Sequence, residues 1–300
     1  MASTYNNLYL DLRQQLLGGG ILMASLEARE IMRHVTGKDR LAIARDYHMY
    51  VHPEEESQAL ALLRRRLEGE PIAYIIGQWE FFGLTFEVSP DVLIPRADTE
   101  VLAAHAIELA KESGPGDVRV LDLCTGCGCV GLTVAAYTTG SRVVLADVSE
   151  PALKVTRHNI RRHDLSARVA AVHADALAPA PANLGRFDVI VCNPPYIESG
   201  QFSALEGSVR RYEPHLALDG GPDGMRFFRA VALGWRNAVK PHGHLVFECG
   251  QGQAPAVSEI LYRATYGHVE TLRDAQGIER VVVGAPVWTD DIRDGVSDII

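Results

Sequence analysis

A short motif, Asn193-Pro194-Pro195-Tyr196, directly follows an apolar run whose β-branched residues, 189–191, predict a buried strand. Proline fixes φ and lacks an amide donor, so the loop should be short and stiff. It would hold the Asn193 side chain, the Pro194 carbonyl and the Tyr196 ring in fixed positions. Two oxygen acceptors beside an aromatic face suit a flat –NH2 group, because both hydrogens can be accepted while the lone pair points elsewhere. The motif is therefore a candidate substrate-binding loop with Asn193, Pro194 and Tyr196 as catalytic residues; the alternative is a turn without chemistry.

A glycine-rich loop, residues 124–131, follows the first predicted strand, and the next predicted strand ends at Asp147. This fits a dinucleotide-type fingerprint, in which glycines let the backbone approach a ligand and a later acid binds a ribose hydroxyl. The pattern also occurs in NAD enzymes. Asp122 favours a different ligand, since a carboxylate at the mouth of the loop repels a pyrophosphate but attracts an ammonium. We therefore expect S-adenosylmethionine as a methyl donor, with S-adenosylhomocysteine as its product.

Two charged residues near this predicted site have alternative interpretations. Asp175 follows the third predicted strand and could accept a hydrogen bond from an adenine amino group, or it could be only a turn residue. Arg96, next to Pro95, is either a structural ion-pair partner or a substrate contact. The predicted donor-binding set is Asp122, Cys124, Thr125, Gly126, Cys127, Gly128, Asp147, Val148, Asp175, Ala176 and Asn193.

Strands and helices alternate from residue 117 onward, which predicts an α/β fold with a parallel sheet and crossover helices. The carboxyl ends of parallel strands meet at one edge of the sheet, so the polar loops described above should converge there. Strands at 268–272 and 280–283 should form an antiparallel pair at the side of the sheet. The predicted parallel strands are 118–123, 142–147, 169–173, the run that ends at Asn193, and 244–248.

The residue composition before the predicted sheet indicates several helices and a separate N-terminal domain. Leu8, Leu12 and Leu16 recur at helical spacing, and Ser25, Asp39 and Pro53 are predicted helix starts. Asp98 or Thr99 should cap a further helix that runs to Glu112. The predicted segments are a helical N-terminal substrate-binding domain (1–70), a β-hairpin linker (71–90), the catalytic α/β domain (91–288) and a loose tail (289–300).

Composition limits the classes of function. The chain has 300 residues, of which 47% are hydrophobic and 22% charged, as in globular proteins with ample core. Its net charge of −9 disfavours binding to a nucleic-acid backbone, so no direct nucleic-acid partner is expected. The start of the chain lacks the pattern of a signal peptide, and no apolar run is long enough to span a membrane. We expect a cytoplasmic monomer.

The five cysteines are an odd number, which fits a reducing compartment. All of them lie near predicted carboxyl ends of strands, so their thiols should gather around one pocket. A metal site is not expected, because the cysteines of the glycine-rich loop share a backbone already assigned to the donor. The cysteines are Cys124, Cys127, Cys129, Cys192 and Cys249.

Several motifs together resemble one known family, and the resemblance covers nearly the whole chain. They are residues 34–38 (His-Val-Thr-Gly-Lys), 93–100 (Leu-Ile-Pro-Arg-Ala-Asp-Thr-Glu), the loop at Asp122, 193–196, 217–221 (Ala-Leu-Asp-Gly-Gly) and 274–280 (Asp-Ala-Gln-Gly-Ile-Glu-Arg). The chain resembles the HemK-type glutamine N5-methyltransferases, which modify peptide chain release factors. One departure is Cys127, where that family usually has Thr or Ser.

The resemblance implies a Rossmann-like seven-stranded methyltransferase domain and a small helical N-terminal domain that helps to hold a release factor. It implies methylation of the glutamine in the Gly-Gly-Gln loop of that partner. Asn-Pro-Pro-Tyr alone also occurs in adenine N6-methyltransferases of DNA and RNA, so that activity is an alternative, as is methylation of another protein glutamine. A donor-sensing protein without catalysis is a further alternative, which the intact Asn193 disfavours.

Overall fold

A computed structural model describes residues 3–114 and 116–288. Its contacts divide the chain into two units. The helical unit runs to Gln78 and also takes in Glu206–Tyr212; the sheet unit contains Trp79–Leu205 and the chain from Glu213 onward. The predicted tail, 289–300, lies outside the described residues.

The helical unit buries one face of its first helix, as the leucine spacing predicts: Leu8, Leu12 and Leu16 are almost inaccessible to solvent. Asp39 caps the third helix, because its Oδ1 accepts from the amide of Ala42 at 2.7 Å. The predicted cap at Ser25 is wrong, since that helix begins one residue earlier and the Ser25 hydroxyl accepts from Arg13 Nε instead. The helices are α1 (Tyr5–Gly18), α2 (Ala24–Thr36), α3 (Arg40–Arg45), α4 (Pro53–Leu67) and α5 (Ile72–Ile76).

The predicted hairpin is shorter than 71–90. Its strands are β1 (Gln78–Phe81) and β2 (Leu84–Glu87), which pair as a separate two-stranded sheet. The preceding apolar residues form helix α5 instead, between Pro71 and Gly77, whose φ of 77° ends the helix in the left-handed region. All five residues of α5 are buried, so the segment lacks the polar face by which a helix is distinguished from a strand.

The sheet unit is built on seven strands in the order β5-β4-β3-β6-β7-β9-β8. Five of them are parallel, and β9 and β8 are antiparallel additions at one side, as predicted. The elements that complete this unit are α6 (Glu100–Glu112), β3 (Arg119–Leu123), α7 (Cys129–Tyr137), β4 (Arg142–Asp147), α8 (Glu150–Arg162), β5 (Val169–His173) and β6 (Phe187–Cys192). After α9 (Gly207–Tyr212), which belongs to the helical unit, follow α10 (Arg226–Gly234), β7 (Val239–Glu248), α11 (Ala254–Arg263), β8 (Tyr266–Arg273) and β9 (Glu279–Pro286).

The register brings the functional loops to one edge. Leu123 pairs with Ala146 on one side and with Cys192 on the other, and Cys192 pairs in turn with Phe247. The residues that follow these positions therefore leave the sheet side by side. Beneath them lies a core of fully buried side chains, including Phe187, Phe228, Trp235 and Phe247. The α/β prediction with a seven-stranded sheet is confirmed.

The start of α6 differs from its prediction. A single 3-10 turn, Ala97–Thr99, precedes the helix, and no side chain caps it. Asp98 pairs instead with Arg280 on β9, with 2.8 Å between Oδ2 and Nη2. Such a long-range ion pair competes with local capping and leaves no trace in the neighbouring sequence. No helix among the described residues is long and apolar enough to cross a membrane.

Candidate functional site

A cleft at the carboxyl edge of the parallel strands holds most of the predicted site residues. It contains about 990 Å³ of empty space, including its open mouth, and all of its lining belongs to the sheet unit. The predicted residues that line it are Arg96, Asp122, Cys124, Thr125, Gly126, Cys127, Asp147, Val148, Asp175, Ala176, Asn193 and Pro195. Gly128, Pro194 and Tyr196 are not among the lining residues.

The Asp122 carboxylate fixes the glycine-rich loop. Its Oδ2 accepts from the hydroxyl of Thr125 at 2.6 Å and from the amide of Gly131 at 2.9 Å. The loop turns sharply, with Cys124 at φ 63° and Gly126 at φ 56°. Asp122 is 2% exposed, and burial raises its pKa to about 7. The residue thus both lines the cleft and ties the loop to the first turn of α7.

Asp147 ends β4 on the neighbouring side of the cleft. One carboxylate oxygen accepts from the amide of Gly126 and the other from the amide of Ser149, each at 2.9 Å. Burial raises the pKa of this carboxyl, although its hydrogen bonds with Ser149 and Gly126 oppose the rise. Both oxygens are held in place, and each keeps a second lone pair that could accept from a ligand hydroxyl.

Hydrogen bonds with residues later in the chain hold the motif at 193–196 in place. The amide of Ile197 donates to Leu218 O at 3.0 Å, and the amide of Gly220 donates to Ile197 O at 2.8 Å. The side chain of Gln253 donates from Nε2 to Tyr196 O at 2.9 Å. Pro194 is buried, and burial raises the pKa of Tyr196 to about 12, so its phenol stays neutral at physiological pH. The motif forms a rigid wall rather than an open flap.

Comparisons with known proteins match both units of this architecture. Residues 8–77 match the PrmC N-terminal domain, and residues 99–220 match the methyltransferase small domain. The release factor glutamine methyltransferase of Geobacter sulfurreducens is 37% identical over 272 residues, which cover 91% of this chain and 93% of that protein. That of Neisseria gonorrhoeae is 37% identical over 262 residues, covering 87% and 93%. The chain belongs to the release factor glutamine methyltransferase family.

A solved structure supports the family's methyltransferase fold. The hMettl16 catalytic domain, solved with the MAT2A 3'UTR hairpin 6, superposes with a TM-score of 0.56 over 81% of this chain and 86% of that chain. Its sequence identity is 13%, so the likeness concerns the fold alone.

Arg96 and Asp175 each make the structural contact that the sequence analysis gave as one alternative, and both line the cleft. Arg96 lines the cleft and also forms an ion pair with Glu213, whose carboxylate is almost fully buried. Asp175 is exposed on the cleft wall, and its Oδ1 accepts from the amide of Leu177 at 2.8 Å, as a turn residue would. Whether either residue contacts a ligand stays a prediction.

The prediction that all five thiols gather around one pocket is wrong in part. Cys124, Cys127 and Cys129 line the cleft, whereas Cys192 and Cys249 are fully buried in the hydrophobic core beneath it. Side chains alternate between the two faces of a strand, so a position at the sheet edge does not decide which way a thiol points. Among residues 3–114 and 116–288, no group of three or more potential ligands is placed to hold a metal ion.

Glu248, the last residue of β7, lies beside the start of the motif at 193–196 and was not singled out by the sequence analysis. It is 3% exposed, and burial raises its pKa to about 7. The side chains of Thr99 and Asn193 favour its charged form and lower this pKa, but burial prevails. Gln253 was missed as well. Gln253 carries no local sequence signal, whereas Glu248 ends the predicted strand 244–248 just as Asp147 ends its own strand. The pairing of β7 with β6 brings Glu248 beside the motif.

Proposed function

We propose that this chain is a protein-glutamine N5-methyltransferase that methylates the glutamine side-chain amide in the Gly-Gly-Gln loop of peptide chain release factors. The observation that carries the proposal is the position of Asn193 on the wall of a cleft that also contains Asp122 and Asp147. An acceptor for an amide –NH2 group, Asn193, and acids suited to a cationic donor therefore line one cleft. The names of the family's members supply the substrate.

The residues of the cleft fit S-adenosylmethionine. Its carboxylates, Asp122, Asp147 and Asp175, favour a cationic ligand over a pyrophosphate. Asp122 would attract the ammonium, Asp147 would accept from the ribose, and Asp175, with Ala176 and Val148, would surround the adenine. The backbone at Cys124, Thr125, Gly126, Cys127 and Gly128 would follow the ligand closely. When bound, the donor supplies an electrophilic methyl group, so the protein needs neither a metal nor a nucleophilic side chain.

The chain's own contribution is to orient a weak nucleophile. An amide nitrogen is unreactive because its lone pair is delocalised into the carbonyl. Asn193 Oδ1 and the Pro194 carbonyl would accept its two hydrogens, while Tyr196 would lie against the amide plane. Fixing the lone pair toward the methyl group can contribute about 7–11 kcal/mol through orientation. Acceptors aimed at the nitrogen also stabilise the positive charge that develops there. Pro195 and Arg96 would complete the substrate-binding surface.

The remaining features of the proposal concern the partner. The helical N-terminal domain, proposed as residues 1–70, would hold the release factor, and the enzyme would act as a cytoplasmic monomer. Of the proposed linker (71–90), only 78–87 form the hairpin, and the catalytic domain (91–288) is proposed to follow the linker. The net charge of −9 disfavours a nucleic-acid substrate.

Isotope-labelled donor offered to release factor, RNA and DNA in parallel tests the proposal. We expect label only on release factor, and none on a release factor whose Gly-Gly-Gln glutamine is replaced by asparagine. Asn193→Ala should leave donor binding largely intact and lose methyl transfer by orders of magnitude, because Asn193 contacts the acceptor more than the donor. Label on RNA or DNA, or normal turnover by Asn193→Ala, would contradict the proposal.

A further inference from the structure

The proposed role of Asn193 depends on which end of its side chain faces the cleft. The carboxamide has almost the same shape after a 180° rotation, but the rotation replaces an acceptor by two donors. Two donors would repel the –NH2 group of a glutamine. Catalysis therefore requires a neighbour that distinguishes the two orientations.

Glu248 is placed to make that distinction. Cys192 on β6 pairs with Phe247 on β7, so Asn193 and Glu248 follow at corresponding positions of adjacent parallel strands. Asn193 and Thr99 lower the pKa of Glu248, as groups that favour its carboxylate, and its Oε2 is buried without a hydrogen-bond partner among the described residues. An ionised carboxylate can only accept hydrogen bonds. The contact that suits this carboxylate is therefore one in which Asn193 donates from its –NH2 group and keeps its Oδ1 free for the substrate.

We propose that ionised Glu248 is a positioning residue that holds the Asn193 side chain with its oxygen toward the cleft. The consequence for methyl transfer rests on the proposed function, whereas the orientation of Asn193 does not. Protonated Glu248 could donate to Asn193 Oδ1 and stabilise the opposite, unproductive orientation.

The surroundings of Glu248 explain why it can change charge near neutral pH. Charged and titratable groups face it from the turn before α6 (Asp98), from β9 (Arg280) and from the motif loop (Tyr196). Cys129 and Cys249 also lie within its electrostatic reach. Arg280 favours the carboxylate but is shared with Asp98 and Asp274. Burial therefore prevails and raises the pKa of Glu248 to about 7.

Glu248→Gln tests the role with minimal change in shape. The new amide can donate to Asn193 Oδ1 and so stabilise the unproductive orientation. We expect kcat for release factor to fall by about 10- to 100-fold, which corresponds to the loss of a hydrogen bond to a charged group. Donor affinity and the KM for release factor should not change. The wild-type kcat should decrease below about pH 7, and this acid limb should be absent in Glu248→Gln. Asp188→Asn is the matched control: it neutralises an acid at the opposite end of strand β6, paired with Lys240, and should keep the acid limb.

A second measurement does not need a substrate. The side-chain amide signals of Asn193, assigned by their loss in Asn193→Ala, should shift with pH in the wild-type ¹H–¹⁵N spectrum and not in Glu248→Gln. Wild-type signals that do not titrate between pH 6 and 8, or a Glu248→Gln variant with unchanged kcat and acid limb, would overturn the proposal. If Glu248→Gln fails to fold, the wild-type titration is compared with that of Asp122→Asn, because burial raises the pKa of Asp122 to about 7 as well. Loss of the shift in Asp122→Asn would overturn the proposal. If release factor is never labelled, the proposed function fails, and the spectra still decide the role of Glu248.

Discussion

Gly220 packs directly against the backbone of Tyr196. A Cβ at position 220 would lie 2.7 Å from the Tyr196 Cα and 2.8 Å from its carbonyl carbon, closer than real side chains approach. From the sequence alone, residues 217–221 contribute only to a family resemblance. In the structure Gly220, within this segment, packs against the backbone of the motif at 193–196.

Gly220→Ala should therefore displace the motif. We expect a loss of stability of about 1–3 kcal/mol, as for other overpacked sites, together with a marked fall in methyl transfer. Gly200→Ala is the control, since a Cβ at Gly200 meets nothing within 4 Å and its φ is not in the left-handed region. Thermal unfolding and turnover of the two variants measure the difference. If the two variants had the same unfolding temperature and the same turnover, the motif would tolerate displacement.

Donor affinity should depend on pH through Asp122. Burial raises its pKa to about 7 in the free protein, so the carboxyl is increasingly neutral below that pH. A cationic donor binds the ionised form better, and its affinity should therefore decrease as the pH falls from 8 to 6. Calorimetric titrations at several pH values measure this dependence. Asp122→Asn should bind more weakly at pH 8 and show a flatter pH profile; the same profile in both proteins would exclude Asp122 as its source.

Asp147→Ala should weaken donor binding by about 1.5–3 kcal/mol, the range for a hydrogen bond to a charged group. The same substitution also removes the anchor of the Gly126 amide. Asp117→Ala provides a control with the same change in charge, because Asp117 is exposed and pairs only with Arg142 among the ion pairs of the described residues. Unchanged affinity in Asp147→Ala would place the ribose contact elsewhere.

Cys124 should be the first thiol to react with an alkylating reagent. It is the one cysteine of the five that is not buried. Burial raises the pKa of Cys249 to about 12 and that of Cys192 well above its usual value, so these thiols should stay inert. Saturating donor should protect Cys124, as peptide mass spectrometry can show. Cys124→Ser should abolish the early label, and equal labelling with and without donor would remove Cys124 from the donor site.

Local patterns predict the parts of this molecule that depend on local interactions. The strands at 142–147 and 169–173 have the predicted limits, because a short apolar run bounded by turn residues is a local signal of a strand. Helix α5 was missed because its residues are all buried and show no periodicity. Glu248 and Gln253 were missed because their partners, Asn193 and Tyr196, are far away in sequence.

The helical unit consists of two separate stretches of chain, with helix α9 (Gly207–Tyr212) contributed from the middle of the catalytic sequence. Arg211 on α9 donates from Nη2 to Glu68 O at 3.3 Å, and a side chain at position 69 would collide with its guanidinium. A chimera that exchanges only the first 78 residues with a relative would therefore graft an incomplete unit and leave α9 facing a foreign surface. Working hybrids need both stretches from the same parent, so the two should vary together among homologues.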